Sequence, residues 1–273
     1  MSKKPSKKTP KPAGSRCLLA TMTREPFQPV RLYYVIPDRS FVTERLRSLE
    51  CMVEVPHERC WHWLFHAEAA SLPIGAGYDA VPVERRPIML GRIRFPKSGG
   101  MTFQTDSFER AVAAARFFAP CLGPEVVALR GRVVNRFFAA DEGQPDALLK
   151  TLDQNVTVID PRAAEAALSR DLKGVGTMED AERAAAASLQ RRLASNQDVP
   201  LVEDFPLLPE EETPDFRDLA TTLGLRSVRA MEHWKGNTDL TLTALIVRTV
   251  EEGMRRGAVT PPGGEQPGPG KVR

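Results

Sequence analysis

Residues 126–138 read Val-Val-Ala-Leu-Arg-Gly-Arg-Val-Val-Asn-Arg-Phe-Phe, and this alternation constrains the fold more than any other stretch of the chain. Side chains along a strand point to opposite faces in turn. An extended backbone therefore puts Val127, Leu129, Val133 and Phe137 on one face and Arg130, Arg132 and Arg136 on the other. Residues 88–95 repeat the pattern, with Ile93 and Phe95 opposite Arg92 and Arg94. If the two strands share a sheet, five arginines project from one face with Val134 and Phe138 between them. The other face must find cover, as in antiparallel sheets with one wet side.

The cover is predicted from the neighbouring segments. Residues 31–36 and 101–105 read as further strands, the second joined to 88–95 through Pro96-Lys97-Ser98-Gly99-Gly100. Ser107 is placed to cap a helix with Val112, Ala115, Phe118 and Ala119 at helical spacing, ended by Pro120 and Gly123. Ser40 is read as the cap of a short helix reaching Leu49, residues 51–55 as a strand, and Pro56 as the first residue of a helix running to Ser71. Residues 156–159 read as a short strand. Two Ala-rich stretches, 161–172 and 178–194, read as helices, with Thr177 and Asp180 at capping-box spacing. The acidic, proline-punctuated run 203–212 reads as a linker. Beyond it, Thr213-Pro214, Gly224, Gly236-Asn237 and Thr238 punctuate three short helices.

The fold class is thus α+β: a small mixed sheet with helices packed on one face, then Ala-rich helices and a C-terminal three-helix unit. The expected organisation is a disordered basic arm (1–27), an α/β sandwich domain (28–140), an Ala-rich helical and acidic linker region (141–212), the three-helix unit (213–258) and a disordered tail (259–273). The arm holds six basic residues and no acid within its first 16 positions, and the tail is rich in Pro and Gly, compositions that cannot bury a core.

Charge separates along the chain. Residues 1–136 carry 22 Lys and Arg against 12 Asp and Glu, and residues 137–273 carry 16 against 23. A basic half attracts an anionic partner, whereas an acidic half can shield it within the molecule or between copies. The longest apolar runs fall short of the roughly 20 residues of a membrane span. The basic, polar start lacks a secretory core, and the four cysteines show no CxxC pair, so a cytoplasmic chain with reduced thiols is expected.

Three constellations could carry chemistry. The first is the arginine face, Arg92, Arg94, Arg130, Arg132 and Arg136, suited to phosphate or to single-stranded nucleic acid. The second is a stripe on the helix predicted after Pro56, where Glu58, His62 and His66 at successive i, i+4 positions would offer a carboxylate and two imidazoles to a metal. The third is a helix-turn-helix pattern over residues 215–235, with Gly224 in the turn and Arg226, Arg229 and His233 on one face of a recognition helix. No Walker A loop, GxGxxG, GxSxG or kinase signature occurs, and no motif requires a cofactor. The sequence therefore points to a binding or regulatory protein rather than an enzyme, with DNA or RNA as partner and no membrane. Its rivals are an adaptor for another protein and a metal-dependent enzyme built on the Glu/His stripe.

Overall fold

The computed structural model describes residues 16–159, 198–207 and 217–257, with isolated positions between 166 and 191. Eight strands, β1 (Val30–Val35), β2 (Met52–Val55), β3 (Cys60–Leu64), β4 (Met89–Arg94), β5 (Met101–Thr105), β6 (Val127–Val134), β7 (Thr157–Val158) and β8 (Val202–Pro206), form one sheet. Their spatial order is β2-β3-β4-β5-β1-β6-β8-β7, and only β7 and β8 run parallel. Five helices are described: α1 (Arg39–Arg47), α2 (Phe108–Leu122), α3 (Pro145–Leu148), α4 (Arg217–Trp234) and α5 (Leu242–Gly257). The protein is a mixed α+β structure built on this sheet.

One face of the sheet is dry. Val30, Leu32 and Tyr34 of β1, Met101 and Phe103 of β5 and Ile93 of β4 pack against Ala111, Ala114, Ala115 and Phe118 of α2 in the main core. Ser107 starts α2 by accepting a hydrogen bond from the Arg110 N–H at 3.1 Å, and Gly123 ends it with φ 89°. The helix continues past Pro120, which sits in its last turn. Gly91 has to be glycine for reasons of space, since a Cβ there would lie 2.5 Å from the Phe103 ring. A smaller cluster, Phe27, Val134, Phe138, Leu148, Leu149, Leu152 and Val202, closes one end of the opposite face.

Several expectations are corrected. Asp38, not Ser40, caps α1, its Oδ1 accepting the Ser40 and Phe41 N–H groups at 2.6 and 3.1 Å. The helix predicted from Pro56 to Ser71 is absent. Pro56 does open a helical turn, but this 3-10 turn stops at Glu58, and Arg59 at φ 53° reverses the chain into β3. Trp61 and Trp63 alternate with His62, and burying both indoles in the main core requires a strand. Trp63 lies 5.6 Å from Phe117 and 5.3 Å from Phe118, ring centre to ring centre.

The segment read as an acidic linker supplies β8, with Glu203 and Asp204 buried. Gly224 does not break the C-terminal region: α4 runs through it for 18 residues, and the described C-terminal region holds two helices where three were expected. The burial of Leu219, Leu223 and Ala230 makes the longer helix worthwhile despite a glycine cost of about 1 kcal/mol. Gly236, at φ 100°, ends it as expected.

Of the arm expected to be disordered over 1–27, residues 1–15 lie outside the described residues, but residues 16–27 pack onto the sheet: Leu18 bridges to Ala139, Ala20 to Pro26, and Glu25 and Phe27 are buried, because the apolar positions after Arg16 find a place in the core. The expected tail (259–273), most of the two Ala-rich stretches and the Thr213-Pro214 cap also lie outside the described residues. Within the second Ala-rich stretch the Asp180 N–H does donate to Thr177 Oγ1, at 3.2 Å. No helix among the described residues is long and apolar enough to cross a membrane.

Candidate anion-binding cleft

The sheet register decides which charges meet. Across the face opposite α2, one row runs His62, Arg92, Gln104, Arg31, Arg132 and Asp204 from β3 to β8. The next row runs Cys60, Arg94, Thr102, Tyr33 and Arg130. The two arginine strands thus do share a sheet and a face, separated by β5 and β1. Arg31, on the polar side of β1, joins them.

Two of the expected neighbours do not belong here. A bulge between β1 and β6 leaves Leu129 out of register and exposed, in place of its expected inward position. Arg136 lies past the end of β6, pairs with Glu142 at 2.8 Å and covers the Phe138 ring. Val134 and Phe138, expected between the arginines, are buried in the smaller cluster.

At the β1/β6 end the guanidinium groups are neutralised. Arg31 donates to both carboxylate oxygens of Asp153, at 2.7 and 3.1 Å, and to Gln104 Oε1 at 2.8 Å. Asp204 Oδ2 accepts from Arg130 Nη1 at 2.8 Å and from Arg132 Nη2 at 2.8 Å, and its side chain is 1% exposed. Arg130 also lies over the Tyr33 ring, 3.9 Å from its centre. The hydrogen bond from Arg31 holds the Asp153 carboxyl below its ordinary value. Part of the opposite charge of the two halves of the sequence is thereby paired within one molecule.

The β4 end differs. Arg92 reaches Asp146 only at 3.5 Å, and the half-buried guanidinium of Arg94 has no ion-pair partner among the described residues. Both face a cleft of about 790 Å³. Arg31, Arg59, Lys97 and Arg130 also line it, and Glu58 is the one acidic side chain on its wall. A second hollow of about 480 Å³ shares Arg31, Glu58, Arg92, Arg94 and Gln104 with the first and reaches Asp146, Lys150 and Asp153. Lys97-Ser98-Gly99-Gly100 is the turn that the sequence predicted, and it forms one wall. Gly99 and Gly100 both take positive φ, and a Cβ on Gly100 would meet the Tyr34 carbonyl at 2.7 Å. A concave site lined by five arginines, a lysine and a single acid focuses a positive field on an anion.

On the rim of the cleft the predicted Glu/His pair forms by another route. Because β3 is extended, the turn at Arg59 folds Glu58 back over it. Glu58 Oε2 then lies 3.3 Å from His62 Nε2 and 3.6 Å from Cys60 Sγ. The His62 hydrogen bond lowers the Glu58 pKa, while burial pushes the Cys60 thiol up. His66 is not part of this group. It turns to the Glu50 carbonyl at 2.9 Å, because a strand does not stack i, i+4 positions as a helix would.

The candidate recognition residues point inward. Arg226 pairs with buried Glu203, and Arg229, 6% exposed, pairs with Asp198 and donates to the Asn135 carbonyl at 2.9 Å. His233 meets the Leu240 carbonyl at 2.8 Å. Arg226 and Arg229 tie α4 to the sheet and its flanking chain, and His233 holds the connection between α4 and α5, so these side chains are engaged within the molecule.

Sequence reasoning missed Arg31, Arg59, Lys97 and Cys60. Arg31 was legible, since Arg31 and Tyr33 alternate with Leu32 and Tyr34. Cys60 lies in the segment that reads as a helix after Pro56, and as the first residue of β3 it faces Glu58 and His62 instead. Arg59 and Lys97 lie in turns, which carry no periodic signal. Comparison of the chain with protein-family models, with curated proteins and with solved structures finds no match.

Proposed function

We propose that this chain is a binding protein for a compact polyanionic ligand, of the phosphorylated small-molecule class, held in the cleft at the β4 end of the sheet. The observation that carries the reading is Arg94: a half-buried guanidinium facing a cleft, with no acidic partner among the described residues. Elsewhere on the same face each arginine is answered by a carboxylate. A guanidinium fork matches phosphate geometry, and Arg92, Arg59 and Lys97 stand around the same space. The cleft volume lies in the range of small-ligand sites, about 300–1,000 Å³.

The same geometry favours a compact ligand over an extended nucleic-acid strand. Stacking platforms need open aromatic faces. Here the Tyr33 ring is covered by Arg130, and Arg39 lies over Phe95 at 5.1 Å.

The test is calorimetric titration of the full chain, at low salt, with pyrophosphate, ATP and single-stranded decathymidylate. The expected result is saturable binding of pyrophosphate and ATP that weakens about tenfold or more in Arg94→Gln, the loss of one charge-assisted hydrogen bond. No binding of either anion, or binding indifferent to Arg94, overturns the reading. Decathymidylate binding far tighter than pyrophosphate, with a steep salt dependence, would assign the face to nucleic acid instead.

A further inference from the structure

The group on the rim of the cleft has a geometry of its own. Glu58, Cys60 and His62 each present a ligand atom, and the three atoms lie within 4.8 Å of one another. In a tetrahedral zinc site, bonds of about 2.0–2.1 Å to N or O and about 2.3 Å to S place neighbouring ligand atoms roughly 3.3–3.6 Å apart. The separations of 3.3 Å between Glu58 and His62 and 3.6 Å between Glu58 and Cys60 already match those edges. We propose that Glu58, Cys60 and His62 bind one thiophilic divalent transition metal of the zinc class, leaving a fourth coordination position on the side of the cleft.

Each residue is held where such a site needs it. Cys60, 2% exposed, and His62 project from β3 towards the polar face, because Trp61 and Trp63 occupy the core face between and beside them. Glu58 is brought over them by the 3-10 turn and the left-handed Arg59. It lines both parts of the cleft, so the open position adjoins the space where an anion would sit. The choice of metal follows from the donors, since a thiolate with an imidazole and a carboxylate suits zinc and not magnesium or calcium.

Arg92 and Arg94 are the cross-strand neighbours of His62 and Cys60, and two cations would oppose an uncompensated dication. The thiolate and the carboxylate together supply two negative charges, so the occupied centre is neutral. Binding releases the Cys60 thiol proton to solvent, and no oxidation or reduction is involved. The metal site stands independently of the anion reading, because none of its ligands is an arginine.

The experiment is titration of the full, reduced chain with Co²⁺ followed by Zn²⁺. One equivalent of Co²⁺ should give a thiolate-to-cobalt charge-transfer absorption together with the intense visible bands of a tetrahedral centre, and Zn²⁺ should bleach both. Cys60→Ser should abolish the charge-transfer band. Glu58→Gln and His62→Ala should each weaken binding by at least about tenfold, the loss that even an outer-shell partner can cause. His66→Ala and Cys51→Ser should leave the titration unchanged. Absence of the charge-transfer band in the wild-type chain, or its survival in Cys60→Ser, overturns the proposal. Glu58 and His62 are partly exposed, so a Glu58→Gln/His62→Ala variant that melts like wild type is a second check, and undiminished cobalt affinity in it also overturns the proposal.

Discussion

The two ends of the arginine face carry the same residue type in the same alternation, yet they do different work. At the β1/β6 end, Arg31, Arg130 and Arg132 meet Asp153 and Asp204 and serve as ties between distant parts of the chain. At the β4 end, Arg94 meets open space and Arg92 has one distant, exposed partner. The difference lies in what the later sequence delivers. β8 brings a buried carboxylate beside β6, and the 3-10 turn Leu149–Asp153 brings the more exposed Asp153 over β1, while neither reaches Arg94. A row of arginines is therefore structural or free to bind according to which acids fold onto it.

The largest effect should come from breaking the tied end. Asp204→Ala leaves Arg130 and Arg132 without their shared acceptor at a buried position, and removal of one partner from such a group costs about 3 kcal/mol. The figure is at the low end because the Arg130 side chain is 44% exposed. Urea unfolding should show the loss, and a change below about 1 kcal/mol would mean that the tie contributes little to stability.

An intermediate effect sharpens the contrast. Arg132→Gln should lower the melting temperature by several degrees, corresponding to about 1–2 kcal/mol, whereas Arg94→Gln should leave it within the scatter of surface substitutions, about 0.5 kcal/mol. Equal melting shifts would erase the distinction between the two ends. If Arg94→Gln instead raised the melting temperature, that would strengthen the picture of an unpaired charge kept for a ligand.

The smallest effect is in pH. The carboxyl of Asp153 is held below its ordinary value by Arg31, so its contribution is fully present above the unfolded value near 3.8 and is lost as pH falls through the lower, folded value. Asp153 is 57% exposed, so solvent screening keeps the contribution at roughly 0.5 kcal/mol. Stability measured between pH 5 and pH 2 should fall less steeply in Asp153→Asn than in the wild type. Parallel curves would show that Arg31 gains nothing from this partner.

Period and composition determined part of the molecule. Alternation determined β4 and the Arg130–Val133 part of β6 and put Arg92, Arg94, Arg130 and Arg132 on one face, because a two-residue period has one structural solution when half the residues must be buried. Ser107 and Gly236 determined helix ends, since a side-chain cap and a left-handed residue act within a few positions of themselves. The tertiary structure alone decided the rest. It made residues 60–64 a strand, because Trp61 and Trp63 gain more by entering the core together than the local helix signal at Pro56 can offer. It also carried α4 through Gly224 and turned Arg226 and Arg229 inward onto Glu203 and Asp198. The Glu58, Cys60 and His62 group and the open cleft at Arg94 arise in the same way. Both depend on which strand lies beside which and on where distant carboxylates land, and pairing between segments tens of residues apart leaves no period in a single sequence.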